Sequence, residues 1–94
     1  MKHYIAVLAP QSENGWRVHF PDFPGCRAEA EHVEAAMHQA SVAVGQMIER
    51  LHQDGIAAPK PRSFEAVRAD DSWAAERGIT WSTAVISLVK LDAG

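Results

Sequence analysis

The chain has 94 residues, 47% of them hydrophobic and 22% charged, with nine basic residues against twelve acidic ones for a net charge of −3. That composition excludes a disordered chain and a collagen-like one, and the length holds one ordinary domain, residues 1–94. Folding at this size removes only roughly 60–65% of the unfolded surface from water, which leaves a thin core and favours a small binding domain over an enzyme with a deep cleft.

Residues 4–9 (Tyr-Ile-Ala-Val-Leu-Ala) are apolar and partly β-branched, and Pro10 ends the run. Asn14-Gly15 is a strong hairpin-turn signal. Residues 16–20 alternate, with Trp16, Val18 and Phe20 on one face and Arg17 and His19 on the other, which predicts an antiparallel strand with one buried and one wet face. Residues 3–20 are thus a predicted hairpin. His3 and His19 are then candidate cross-strand neighbours on its polar side, an ordinary surface pair lacking a third metal ligand.

The loop 21–25 carries two prolines and a glycine, so it is stiff. A short strand follows at 26–29. From Val33 to Gln53 the period changes: Val33, Ala36, Met37, Ala40, Val44, Met47, Ile48 and Leu51 form one apolar stripe of a helix. The alanines on it predict close packing on the sheet, and Asp54-Gly55 supplies the stop. The connector 56–79 is proline-rich at its start. Within it Ser63 is placed to cap a short helix over Phe64–Arg68, and residues 69–79, around Trp73, are polar and turn-like with room for one more helical turn. Residues 80–91 are the predicted last strand, beside the first strand or at an edge. The order β-β-β-α-β predicts an α+β two-layer sandwich, an antiparallel-rich sheet with one long helix across one face.

The scattered basic residues give no footprint for nucleic acid, and no apolar stretch is long enough to span a membrane. The single Cys26 excludes an internal disulfide framework, and with no secretory signal pattern at Met1–Tyr4 the expected location is the cytoplasm. Flanked by Gly25 and Arg27, Cys26 could serve as a nucleophile, but its ordinary role is a small half-buried strand residue. No phosphate loop, Ser-His-Asp set or Cys-x-x-Cys pair occurs, so no catalytic residue, cofactor or metal ligand is expected.

At Phe20-Pro21-Asp22-Phe23-Pro24-Gly25-Cys26, with Pro59-Lys60-Pro61 about thirty-five residues on, the sequence resembles the HicB-like antitoxin family of toxin–antitoxin systems over nearly its whole length. The resemblance implies a partial RNase H-like, or double-stranded-RNA-binding-like, fold. It also implies a protein partner, the small basic RNase toxin HicA, whose active surface the antitoxin masks. Where family members enter the helix through a Gly-Asp-Thr turn and a Glu-Ala pair, this chain has Ala30-Glu31-His32 and Ala35-Ala36. Family members often add a promoter-binding segment of roughly 40 residues; three residues follow the predicted last strand, so direct DNA binding is not expected of this chain. Two other readings stand beside this one: an orphan domain of the family that only oligomerises, and a residual metal-dependent nuclease of RNase H descent. Nuclease chemistry needs a carboxylate on the first strand, and Tyr4–Ala9 has none.

The candidate partner-binding residues are Asp22, Phe23, Arg27, Trp73 and Trp81. Asp22 is projected by the rigid loop, although its commoner role is to accept backbone N–H groups in a turn. Phe23, with Trp16 and Phe20, is ordinarily core under the helix. Trp73 and Trp81 stand near the connector and the last strand, and Trp is enriched at interfaces. Self-association to a dimer or tetramer, through strand edges or residues 64–81, is the second expected contact.

Overall fold

In the computed structural model, which describes residues 3–11, 15–23 and 26–90, the N-terminal apolar run forms strand β1 (His3–Pro10). It pairs antiparallel on one side with β2 (Trp16–His19) and on the other with β4 (Val85–Lys90), and β2 carries β3 (Arg27–Ala30) at the far edge. The sheet order is β3-β2-β1-β4. The predicted turn residue Asn14 lies outside the described residues; Gly15, at φ 110, takes the positive φ that glycine tolerates.

Helix α1 (Val33–Gln53) matches the predicted span to the residue. Its C-terminus closes with the Gly55 N–H donating to the His52 carbonyl and the Ile56 N–H to the Leu51 carbonyl, each at about 3 Å, around Gly55 at φ 71. That pairing satisfies carbonyls the helix leaves free. At the other end His32 occupies the N-cap position with no side-chain cap bond. Ser63 caps α2 (Phe64–Ala69) by accepting from the Ala66 N–H at 3.2 Å. The helical turn foreseen within 69–79 is α3 (Asp71–Glu76), capped by Asp70, which accepts from the Trp73 N–H at 3.1 Å.

The last strand is shorter than the predicted 80–91. The Thr80 carbonyl accepts both the Thr83 and Ala84 N–H groups at 3.1 Å, a turn that delays extended backbone until Val85. Residue 91 lies outside the described residues. β4 lies both beside the first strand and at the sheet edge.

The α+β class and the element order stand, with one layer more than the two-layer reading supplied. Tyr4, Ala6, Leu8, Val18, Phe20 and Val89 pack against Ala36, Ala40 and Val44 of α1. On the opposite face Ile5, Val7 and Ala9 pack against Val67 of α2, Trp73 and Ala74 of α3, and Ile79. Six consecutive buried residues in β1 are the pattern of a strand covered on both faces.

Ala36 and Ala40 are fully buried, so no larger side chain fits between α1 and the sheet without displacing one of them. Ala40→Leu is expected to destabilise the protein by about 1–3 kcal/mol, whereas Ala35→Leu, at an exposed position of the same helix, changes stability by less than about 0.5 kcal/mol. Urea denaturation of the two variants measures the contrast.

Candidate functional site

Two segments far apart in sequence are locked together at one end of the sheet. The Phe23 N–H donates to the Phe20 carbonyl at 3.1 Å and the Cys26 N–H to the Phe23 carbonyl at 2.9 Å, so the chain after β2 turns back on itself. Phe23 is buried against the Tyr4 ring, with centroids 4.7 Å apart. The Tyr4 hydroxyl in turn donates to the Pro59 carbonyl at 2.6 Å. Burial, and then the charge of Asp22, push the Tyr4 hydroxyl pKa up, keeping it a neutral donor.

Asp22 completes the lock. Its side chain is only 3% exposed and accepts from the Arg62 backbone N–H at 3.4 Å and from Arg62 Nε at 3.2 Å. Arg62 Nη2 also donates to the Pro21 carbonyl at 2.6 Å, and Nη1 lies 3.9 Å from Asp70. The Pro-Asp loop and the Pro59-Lys60-Pro61 connector are thereby one structure. Asp22 does accept a backbone N–H, but from the connector rather than from its own turn. Arg62 is the residue that sequence reasoning missed; the available signal was a guanidinium placed directly after the Pro-x-Pro segment.

On the second face of the sheet, a cleft of about 360 Å³ is lined by Arg17, His19, Phe20, Cys26, Arg27, Glu76 and Arg77. Register sets Arg17 opposite Glu29 and His19 opposite Arg27, and Arg17 Nε meets the Glu29 carboxylate at 3.1 Å. His19 is not on a wet face and has no His3 beside it. It is 8% exposed, pairs with Val7 across β1 and meets the edge of Trp73 at 6.4 Å, whereas His3 pairs with Lys90. The reason is the added layer, since α3 covers the side of β2 that the alternation assigned to solvent. Burial, followed by the charges of Arg17, Arg77 and Arg27, lowers the His19 pKa, so the imidazole is held neutral. Burial likewise pushes the Cys26 thiol up, away from nucleophilic thiolate chemistry.

Trp73 is buried in the second core and Trp81 half-buried on its rim, their rings 6.3 Å apart at 25°. Arg77 lies over Trp73 at 4.9 Å and donates to its carbonyl at 3.0 Å. Both indole N–H groups are buried and make no hydrogen bond to the described residues. Of the five residues singled out from sequence, Asp22 and Phe23 therefore belong to the loop–connector lock, Arg27 to the cleft, and Trp73 and Trp81 to the second core. Leu88, on β4, the strand that ends the sheet among the described residues, is 62% exposed. Among the described residues no three His, Cys, Asp or Glu side chains gather as a metal site, and no helix is long and apolar enough to cross a membrane.

The model of a family described as the HicB-like antitoxin of bacterial toxin–antitoxin systems matches residues 4–94. No curated protein matches the sequence. Among solved structures, the N-terminal domain of the Burkholderia pseudomallei antitoxin HicB superposes with a TM-score of 0.76 at 21% identity, covering 96% of this chain and 98% of that one. The longer Burkholderia pseudomallei antitoxin HicB superposes with a TM-score of 0.77 at 22% identity over 98% of this chain, which spans 63% of that protein. A chain of the HicA3 and HicB3 toxin–antitoxin complex gives 0.68 at 23% identity, covering 96% of this chain and 98% of that one.

Two measurements probe the site. Arg62→Ala is expected to cost about 1.5–3 kcal/mol, and combining it with Asp22→Asn to cost less than the sum of the two, as a double-mutant cycle in urea reads out. His19 binds a proton more weakly folded than unfolded. Its contribution to stability is therefore complete above the ordinary imidazole pKa of 6.5 and is lost as the pH falls from there through the lowered pKa of the folded state. Urea midpoints measured from pH 7.5 to pH 5.5 should fall, and His19→Gln should flatten that slope. Asp70, whose pKa is lowered chiefly by the Trp73 N–H, loses its contribution only below its ordinary 3.8 and does not interfere.

Proposed function

Because the chain belongs to the HicB-like antitoxin family of bacterial toxin–antitoxin systems, we propose that it binds a small, basic, mRNA-cleaving toxin of the HicA type and neutralises it by covering the toxin's active surface. The family match over residues 4–94 is the observation that carries this reading. A chain of a HicA3–HicB3 toxin–antitoxin complex with the same fold supports it. Nothing in the proposal requires catalysis by this chain, and the cytoplasm, where mRNA is translated, is the compartment it needs.

The surface proposed for the toxin is the β3 edge together with the loop before it. Among the described residues β3 ends the sheet and pairs on one side only, with β2. Arg27 and Glu29 are exposed on it, and exposed Glu31 and Glu34 continue the edge into α1. That run of carboxylates suits a cationic partner. In this reading Asp22 and Phe23 act from beneath, by fixing the path of the chain into β3. Trp73 and Trp81 support the opposite face. Self-association to a dimer or tetramer is part of the same proposal, with the edge of β4 and Leu88 as its surface.

Where a small basic protein is encoded beside this gene, co-purification with it and loss of its RNase activity on mixing are the expected results. Charge reversal in Glu31→Lys/Glu34→Lys should slow association and weaken the complex roughly tenfold, with a reduced dependence on salt, in stopped-flow binding. No complex with that neighbour, or a complex indifferent to the reversal, sets aside the toxin reading or this surface respectively.

A further inference from the structure

A protein of net charge −3 nonetheless gathers three guanidinium groups around one cleft. Arg17 and Arg27 stand on neighbouring strands, and Arg77 faces them from the end of α3. Only Glu76 among the lining residues is acidic, so the lining carries a net charge of +2, three cations less one anion. Arg17 is held by Glu29 at 3.1 Å and Arg77 by Glu76 at 3.6 Å, while Arg27 has no carboxylate within ion-pair distance among the described residues. Arg77 is positioned independently of Glu76 by the Trp73 ring and carbonyl. His19 lies in the same lining, neutral and buried.

From this geometry we infer that the cleft between β2, β3 and α3 binds a small phosphate-bearing ligand, gripped by Arg17, Arg27 and Arg77. Guanidinium groups present paired donors that match phosphate oxygens, and a phosphate dianion balances the net charge of the lining. A cleft of about 360 Å³ falls at the small end of the range for ligand pockets, about 300–1,000 Å³. It suits an inorganic phosphate or a single nucleotide better than a folded partner. The inference does not rest on the toxin reading, although Arg27, which also stands on the β3 edge, is a residue the two surfaces share.

The test is an NMR titration of the full chain with inorganic phosphate, with a nucleoside 5′-monophosphate and with the unphosphorylated nucleoside, following the His19 imidazole and the Arg27 amide. Phosphate or the monophosphate should move both signals, and the nucleoside should not. Tighter binding of the monophosphate marks a nucleotide site, and equal binding marks a site for free phosphate; either supports the inference. Arg27→Glu, at an exposed strand position, should weaken binding roughly tenfold or more with an unchanged circular dichroism spectrum. Arg68→Glu, the same charge change on α2 outside the cleft, should leave binding as it was. The inference is overturned by an absence of shifts at millimolar phosphate, or by equal weakening in the two variants. A carboxylate peptide that moves the same signals at lower concentration than phosphate also overturns it, and assigns the cleft to an acidic protein segment.

Discussion

Tyr4–Ala9 must leave water on both faces at once, because successive side chains of a strand point to opposite sides and all six are apolar. Every other element answers that demand. α1 lies across one face, close enough that only alanine fits at positions 36 and 40. The other face has to be covered by chain that comes after α1, so the connector must carry the backbone from one side of the sheet to the other. The Asp22–Arg62 pair, the Tyr4–Pro59 hydrogen bond and the Phe23–Tyr4 contact fix that crossing. A buried carboxylate is costly unless its partner is well placed; here Arg62 donates to it twice, from its backbone N–H and its Nε, and a third donor of the same arginine holds the Pro21 carbonyl beside it.

The long helix was legible because its signals are local: a sustained apolar stripe and a glycine stop are visible in any window of the chain. The Ser63 cap was legible for the same reason. The role of His19 was not. Trp16, Arg17, Val18 and His19 alternate as a half-wet strand does, and only the arrival of α3 over that face, set by packing more than fifty residues away, makes His19 a buried group. Likewise Asp22 could be recognised as a hydrogen-bond acceptor held by a stiff loop, but the identity of its donor depends on a contact forty residues distant. For Trp73 and Trp81 the sequence supports an interface role, since tryptophan is common at interfaces; that they also fill a second core depends on the sheet being covered on both faces, which no local pattern reports.

Charge is distributed by element rather than spread over the surface. Carboxylates follow the β3 edge into the start of α1, where the helix dipole also favours them. Arginines collect on the side of β2 and β3 that turns toward α3. The two groups meet on β3, where Arg27 and Glu29 stand two residues apart and Glu29 pairs with Arg17 across the strands.

The pairing of β1 with β4 joins residues from opposite ends of the described chain, His3 to Lys90. During synthesis β1 therefore emerges before its partners and waits, its second face bare until α2 and α3 have been made and one backbone edge open until β4 has. Contacts of such long sequence separation are slow to form, and an unpaired apolar strand is what quality-control proteases and aggregating chains engage. Translation interrupted before α2 would leave a fragment holding the long helix and the hairpin but exposing Ile5, Val7 and Ala9. Pairing with β4 is thus what closes the second backbone edge of the strand on which the rest of the core is built.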